Sequence, residues 1–183
     1  METIRIRQVD SVTVTTLIDN SCDLLLSDKG PARRATMSGD MPTKPAPTLH
    51  GGEGYDHLRA EHGFSVLLEI TSGKNTHCVL YDAGLTPDGL IDNMRRLGKD
   101  PRDIEAIVLS HGHLDHTTGL NGLSHTLGKT SMPVFIHPEF WARRRIAIPG
   151  KEPVELLSTS RTALLEIGFE IIENVLPSFL LDS

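Results

Sequence analysis

Apolar positions along the chain switch between a period of two and a period near 3.6, and the switches mark its elements. Val12-Thr13-Val14-Thr15-Thr16-Leu17-Ile18 is β-branched and predicts a strand ending at Asp19-Asn20. Phe64 to Ile70 and Thr76 to Tyr81 flank Ser72-Gly73-Lys74-Asn75, which predicts a hairpin. Leu90, Ile91, Met94 and Leu97 form a helical stripe, opened by Thr86-Pro87-Asp88 and stopped by Gly98. Ala106-Ile107-Val108-Leu109 is short and wholly apolar, as a strand buried on both faces should be. Leu120, Leu123 and Leu127 give a second helix, and Val134-Phe135-Ile136 a strand. A third helix from Ser160 to Ile167, stopped by Gly168, precedes strand-like Phe169 to Ile172. Strands alternate with helices, so the fold class is α/β.

One stretch breaks the pattern. From Ser27 to His62, Pro42, Pro45, Pro47, Gly51, Gly52 and Gly54 interrupt any helix or strand, predicting a long irregular loop at 27–62. The 183 residues fit a single domain. An apolar share of 38% and a charged share of 23% describe a soluble globular chain, and a formal charge of −6 argues against nucleic acid as a partner. Arg143-Arg144-Arg145, the sole basic triplet, reads as a solvated helix end ahead of an anion site. No apolar run reaches the roughly 20 residues that span a bilayer. Met1 to Arg7 lacks the apolar core of a signal peptide. Cys22 and Cys78 form no C-x-x-C, and Cys78 reads as a buried strand thiol. A cytoplasmic location is the resulting expectation.

Chemistry concentrates in Leu109-Ser110-His111-Gly112-His113-Leu114-Asp115-His116. Imidazole nitrogens and a carboxylate are the usual ligands of zinc and similar divalent ions. An H-x-H-x-D-H string arises by chance about once per thousand chains of this composition, so accident explains it poorly. In an extended segment residues two apart share a side, so His111, His113 and Asp115 should converge, with His116 facing a neighbouring region. That arrangement suits two ions in one cleft. The competing reading is a polar loop with Asp115 as the N-cap of the following helix.

With Asp82-Ala83-Gly84 upstream, the segment Leu109 to Leu120 resembles the metallo-β-lactamase-fold superfamily. Val12 to Asn20, Glu61-His62-Gly63-Phe64-Ser65, Val134 to Glu139 and Pro177 to Asp182 resemble its branch of dihydropterin ribofuranosylaminobenzene phosphate synthase-like proteins. The resemblance implies an αββα sandwich, of which 1–183 would be the N-terminal half and slightly more, one incomplete domain lacking the second half. It implies His111 and His113 as ligands of one zinc and Asp115 and His116 as ligands of another, with iron or manganese as alternatives. Asp115 would orient the attacking water, and Asp82 would support the ligands from behind; a turn carboxylate capping local amides is the other reading of Asp82. His62 is a candidate lining residue of the substrate pocket, or a surface histidine. The later ligands of the superfamily, including a third histidine for the first ion, have no counterpart, since no histidine follows His137. The implied activity is metal-dependent hydrolysis of a small molecule by hydroxide made at the metal. Alternatives are a synthase or iron-dependent oxidoreductase, or a metal-binding fragment without catalysis. A half sandwich leaves an apolar sheet face bare, so a homodimer, a partner chain or the missing half is expected to cover it. The 27–62 loop is expected to cover the metal site.

Overall fold

The computed structural model describes residues 6–35, 41–128 and 131–180. The β-branched segment forms strand β1 (Ser11–Ile18), since side chains stiff at χ1 suit a pleated, half-buried surface. Within the long loop lies a small antiparallel ribbon of β2 (Thr43–Pro45) and β3 (Glu53–Tyr55). The predicted hairpin is β4 (Ser65–Ser72) and β5 (Asn75–Tyr81), joined by Gly73 and Lys74. Helix α1 (Gly89–Arg96), strand β6 (Ala106–Val108), helix α2 (Leu120–Leu127) and strand β7 (Met132–Ile136) follow. A short hairpin of β8 (Arg145–Ile146) and β9 (Val154–Glu155) leads to α3 (Arg161–Ile167) and β10 (Phe169–Glu173).

The main sheet has six strands in the order β1-β4-β5-β6-β7-β10. The first two pairings are antiparallel and the last three parallel. Leu67, Leu80, Ile107 and Val134 stand opposite one another across the strands. All four are buried, in one cluster with Leu90 and Met94 of α1, Leu120 and Leu123 of α2, and Leu164 of α3. The helices therefore share one face of the sheet. Each such side chain contributes about 1.5–3 kcal/mol through burial. Among the described residues no helix covers the other face, where Val66, Tyr81, Val108, Phe135 and Ile172 line up in register. The architecture is one helix layer on one sheet, two of the four layers that the resemblance implies.

Two expectations need correction. Helix α1 begins at Gly89, later than its Thr86-Pro87-Asp88 signal, because the Glu61 carboxylate holds the backbone N–H groups of Leu85 and Thr86 in a turn. At the end of the 27–62 loop His62 reaches Asp115, 3.3 Å away, while the stretch around Asp56 is fastened to α1. Its buried Asp56 accepts from Arg95 and Arg96 in the last turn of α1, and Asn93 donates to the Leu17 and Arg59 carbonyls. These bonds lash it to the helix flank, and residues 36–40 lie outside the described set. Arg143-Arg144-Arg145 is no helix end: a single 3₁₀ turn at Pro138–Trp141 precedes it, and Arg145 opens β8. No helix among the described residues is long and apolar enough to cross a membrane.

Candidate metal centre

Strands β5 and β6 run parallel with Tyr81 opposite Val108, so the segments that follow them leave the same end of the sheet. Asp82 follows the first; Ser110 and His111 follow the second. The Asp82 N–H donates to the Val108 carbonyl at 2.9 Å, and its φ of 56° is a left-handed value that aspartate tolerates better than most residues. Its carboxylate is almost fully buried, which is costly unless hydrogen bonds compensate. They do. Oδ1 accepts from the Ser110 N–H at 2.8 Å, and Oδ2 accepts from the Ser110 hydroxyl at 2.7 Å and from His116 Nδ1 at 2.8 Å.

This network sets two tautomers. His116 donates its Nδ1 proton to Asp82, so in the neutral ring Nε2 carries the lone pair. The Ser110 hydroxyl spends its single proton on Asp82, so at 2.9 Å from His111 Nδ1 it must accept. His111 Nε2 then carries no proton and, at 3.0 Å, is placed to accept from His113 Nδ1. One buried carboxylate thus presents two imidazole lone pairs, one directly and one through a hydroxyl.

The histidines gather by a different route from the one their alternation predicts. Only His111 to His113 is extended; Leu114–His116 forms a 3₁₀ turn that folds Asp115 and His116 back. His111 Nε2 lies 3.0 Å from His113 Nδ1, and the His111 and His116 ring centroids are 4.2 Å apart. Asp115 Oδ2 lies 3.5 Å from His116 Nε2 and 3.3 Å from His62 Nε2. Burial, with repulsion from His116 and His113, pushes the His111 pKa below its ordinary value, which favours the neutral form that a metal needs. Asp115 does not cap α2, whose N-cap is Gly119.

Close backbone approaches hold this turn. The Asp115 carbonyl accepts from the Phe64 N–H at 3.3 Å, and Gly63 passes so near that a side chain there would overlap it. At Gly112 an added Cβ would overlap the Phe140 carbonyl. His62 reaches Asp115 while most of its ring stays exposed. Sequence reasoning missed Ser110 and Glu61. The hydroxyl directly before the first histidine was the available signal for Ser110; nothing local marked Glu61. His137 accepts from the Glu139 N–H and caps a turn, and the buried Cys78 thiol is pushed up to about 11.

The donor set fits a divalent ion in type and in pairwise spacing. Two nitrogens on one tetrahedral zinc at about 2.05 Å stand about 3.3 Å apart. The 3.0 Å of His111–His113 and the 3.5 Å of Asp115–His116 bracket that edge. As placed, the donors form these two pairs, and no group of three or more His, Cys, Asp or Glu among the described residues is gathered to hold one ion.

Known proteins resemble this chain over part of its length. The metallo-beta-lactamase superfamily model matches residues 58–157. The 7,8-dihydropterin-6-methyl-4-(beta-D-ribofuranosyl)-aminobenzene-5'-phosphate synthase of Methanocaldococcus jannaschii is 35% identical over 82 residues, 45% of this chain and 28% of that protein. An uncharacterized protein of the same organism is 44% identical over 66 residues, 36% of this chain and 24% of its own length. Among solved structures, the Rm3 metallo-beta-lactamase is 32% identical, with 45% of this chain and 29% of that one covered at a TM-score of 0.35. The matches span about a quarter of the length of the curated relatives. With the family model covering more than half of its residues, the chain belongs to the metallo-beta-lactamase superfamily.

Proposed function

We propose that the chain carries a divalent-metal hydrolase centre for a small-molecule substrate, with His111 and His113 holding one ion and Asp115 and His116 a second. The observation that carries this reading is the pair of imidazoles whose Nδ1 atoms are bound by Asp82 and Ser110 at the ends of two parallel strands, which turns both Nε2 atoms towards the other donors. Zinc suits imidazole and carboxylate ligands; iron and manganese accept the same donors. Such ions supply Lewis acidity and a water acidified towards ~7. Asp82 Oδ2 keeps the His116 proton on Nδ1, and the Ser110 hydroxyl keeps that of His111 there too. Asp115, within reach of both His116 and His62, orients the attacking water, and His62 lines the approach to it.

Zinc counted by elemental analysis after gel filtration of the zinc-loaded protein tests the assignment. Wild type and His125→Ala, altered on α2 away from the motif, should retain zinc, and His113→Ala should retain less than about half as much. Equal zinc in all three would overturn it. A second reading, a synthase or redox reaction at the same centre, draws on the name of the M. jannaschii relative. Iron in protein purified without added metal would favour it.

A further inference from the structure

The segment between β7 and α3 plays no part in the reading above, yet it reaches the histidine motif twice. The Arg144 guanidinium folds back and donates through Nη1 to three carbonyls: Ala142 at 2.7 Å, Phe140 at 3.0 Å and Gly112 at 3.3 Å. Fifteen residues on, the Thr159 hydroxyl donates at 2.8 Å to that of Thr117, which donates in turn to the His113 carbonyl at 3.3 Å. The Gly112 and His113 carbonyls belong to the two peptide units that flank His113. Both units are thus held by groups from residues 144–159, one by a guanidinium and one by a two-hydroxyl relay.

Neither contact is incidental to the local fold. The Arg144 carbonyl accepts from the Leu156 N–H at 2.9 Å, so the arginine sits at the base of the β8–β9 hairpin. Thr159 precedes Ser160, whose hydroxyl caps α3 by accepting from the Ala163 N–H. Each holding group is therefore rooted in an ordered element. The Thr117 side is buried, so its hydroxyl relay is shielded from competing water. His113 itself is exposed, and its ring meets the Asp82 network only at the far end, where its Nδ1 lies 3.0 Å from His111 Nε2. Its neighbours His111 and His116 are oriented by Ser110 and Asp82 through their rings, whereas His113 is held through its backbone as well.

We infer that Arg144 and Thr159 are positioning residues for His113, and that residues 144–159 form a clasp which sets this ligand's direction. The inference rests on the metal-centre reading. Groups that orient a ligand typically alter metal affinity about 10–100-fold when removed. The three carbonyls share the two hydrogens of Nη1, whose directions are fixed by the guanidinium plane, whereas a lysine ammonium sits on a flexible stem with no fixed direction. Arg143, one residue away, bonds Glu155 and makes no such contact, which makes it the control.

The experiment measures zinc dissociation constants by chelator competition, and visible absorption of the cobalt-substituted protein, for wild type, Arg144→Lys, Thr159→Val, Thr159→Ser and Arg143→Lys. Arg144→Lys and Thr159→Val should each bind zinc about 10–100-fold more weakly and show altered cobalt bands. Thr159→Ser, which keeps the hydroxyl, should restore the wild-type values, and Arg143→Lys should leave them unchanged. Arg144→Lys and Thr159→Val binding within about threefold of wild type would overturn the clasp while leaving the metal centre intact. So would Thr159→Ser binding as weakly as Thr159→Val, or Arg143→Lys weakening binding equally, since either marks a general structural effect. A wild-type protein that takes up no zinc or cobalt would overturn the metal centre itself, and the clasp with it.

Discussion

Asp82 and Asp56 are both buried carboxylates, and their surroundings give them opposite uses. Asp82 accepts from a serine and a histidine at the end of the sheet and so orients two imidazole rings. Asp56 accepts from Arg95 and Arg96 and fastens the long loop to α1. Those two guanidinium groups hold the Asp56 carboxyl well below the usual carboxylate range. A depressed pKa stabilises the fold above the ordinary aspartate value of ~3.9, and that stability fades as pH falls towards the folded value. Asp56→Asn should therefore melt below wild type at pH 7, with the gap closing as thermal melts followed by circular dichroism are taken below about pH 4. A gap that stays constant from neutral to acid would contradict this. At this scale the sequence was partly legible. His111, His113, Asp115 and His116 stand out because they are adjacent in the chain, and Asp82 because its turn motif is familiar. Ser110, Glu61, Arg144 and Thr159 do not, because each takes its role from a partner far away in sequence.

Hydrophobic periodicity located the strands of the main sheet and the three α-helices found among the described residues, because each has an apolar face that packing rewards. It failed where packing is slight. The β2–β3 and β8–β9 ribbons have two or three residues per strand and are held by polar contacts such as Asp56 with Arg96 and Arg143 with Glu155. The histidine motif differs at one point, since its alternation reads as an extended segment where a 3₁₀ turn brings Asp115 and His116 round. The sheet itself carries a further consequence. Val12 and Val14 at its edge are 52% and 59% exposed, and they continue the uncovered row of Tyr81, Val108 and Phe135. An apolar surface of this kind favours association. Sedimentation velocity should show an average mass that rises with concentration, and Val14→Lys should reduce the rise. A concentration-independent monomer in both proteins would argue against association through this face.

In the whole molecule, a parallel strand pair delivers two loops to one end of a sheet, helices cover one face, and a hairpin segment closes over the ligand turn. The superfamily was legible because its ligand motif is local, whereas the clasp appears only once the chain is folded. Among the described residues the donors gather as two pairs, His111 with His113 and Asp115 with His116. The account depends on those pairs binding a cation. X-ray absorption at the zinc edge of the loaded protein tests this most directly. The account predicts a shell of nitrogen and oxygen near 2.0–2.1 Å with the outer scattering of at least two imidazoles. A sulfur shell near 2.3 Å, which would place the ion on Cys22 or Cys78, or a shell of water oxygens alone, would contradict it.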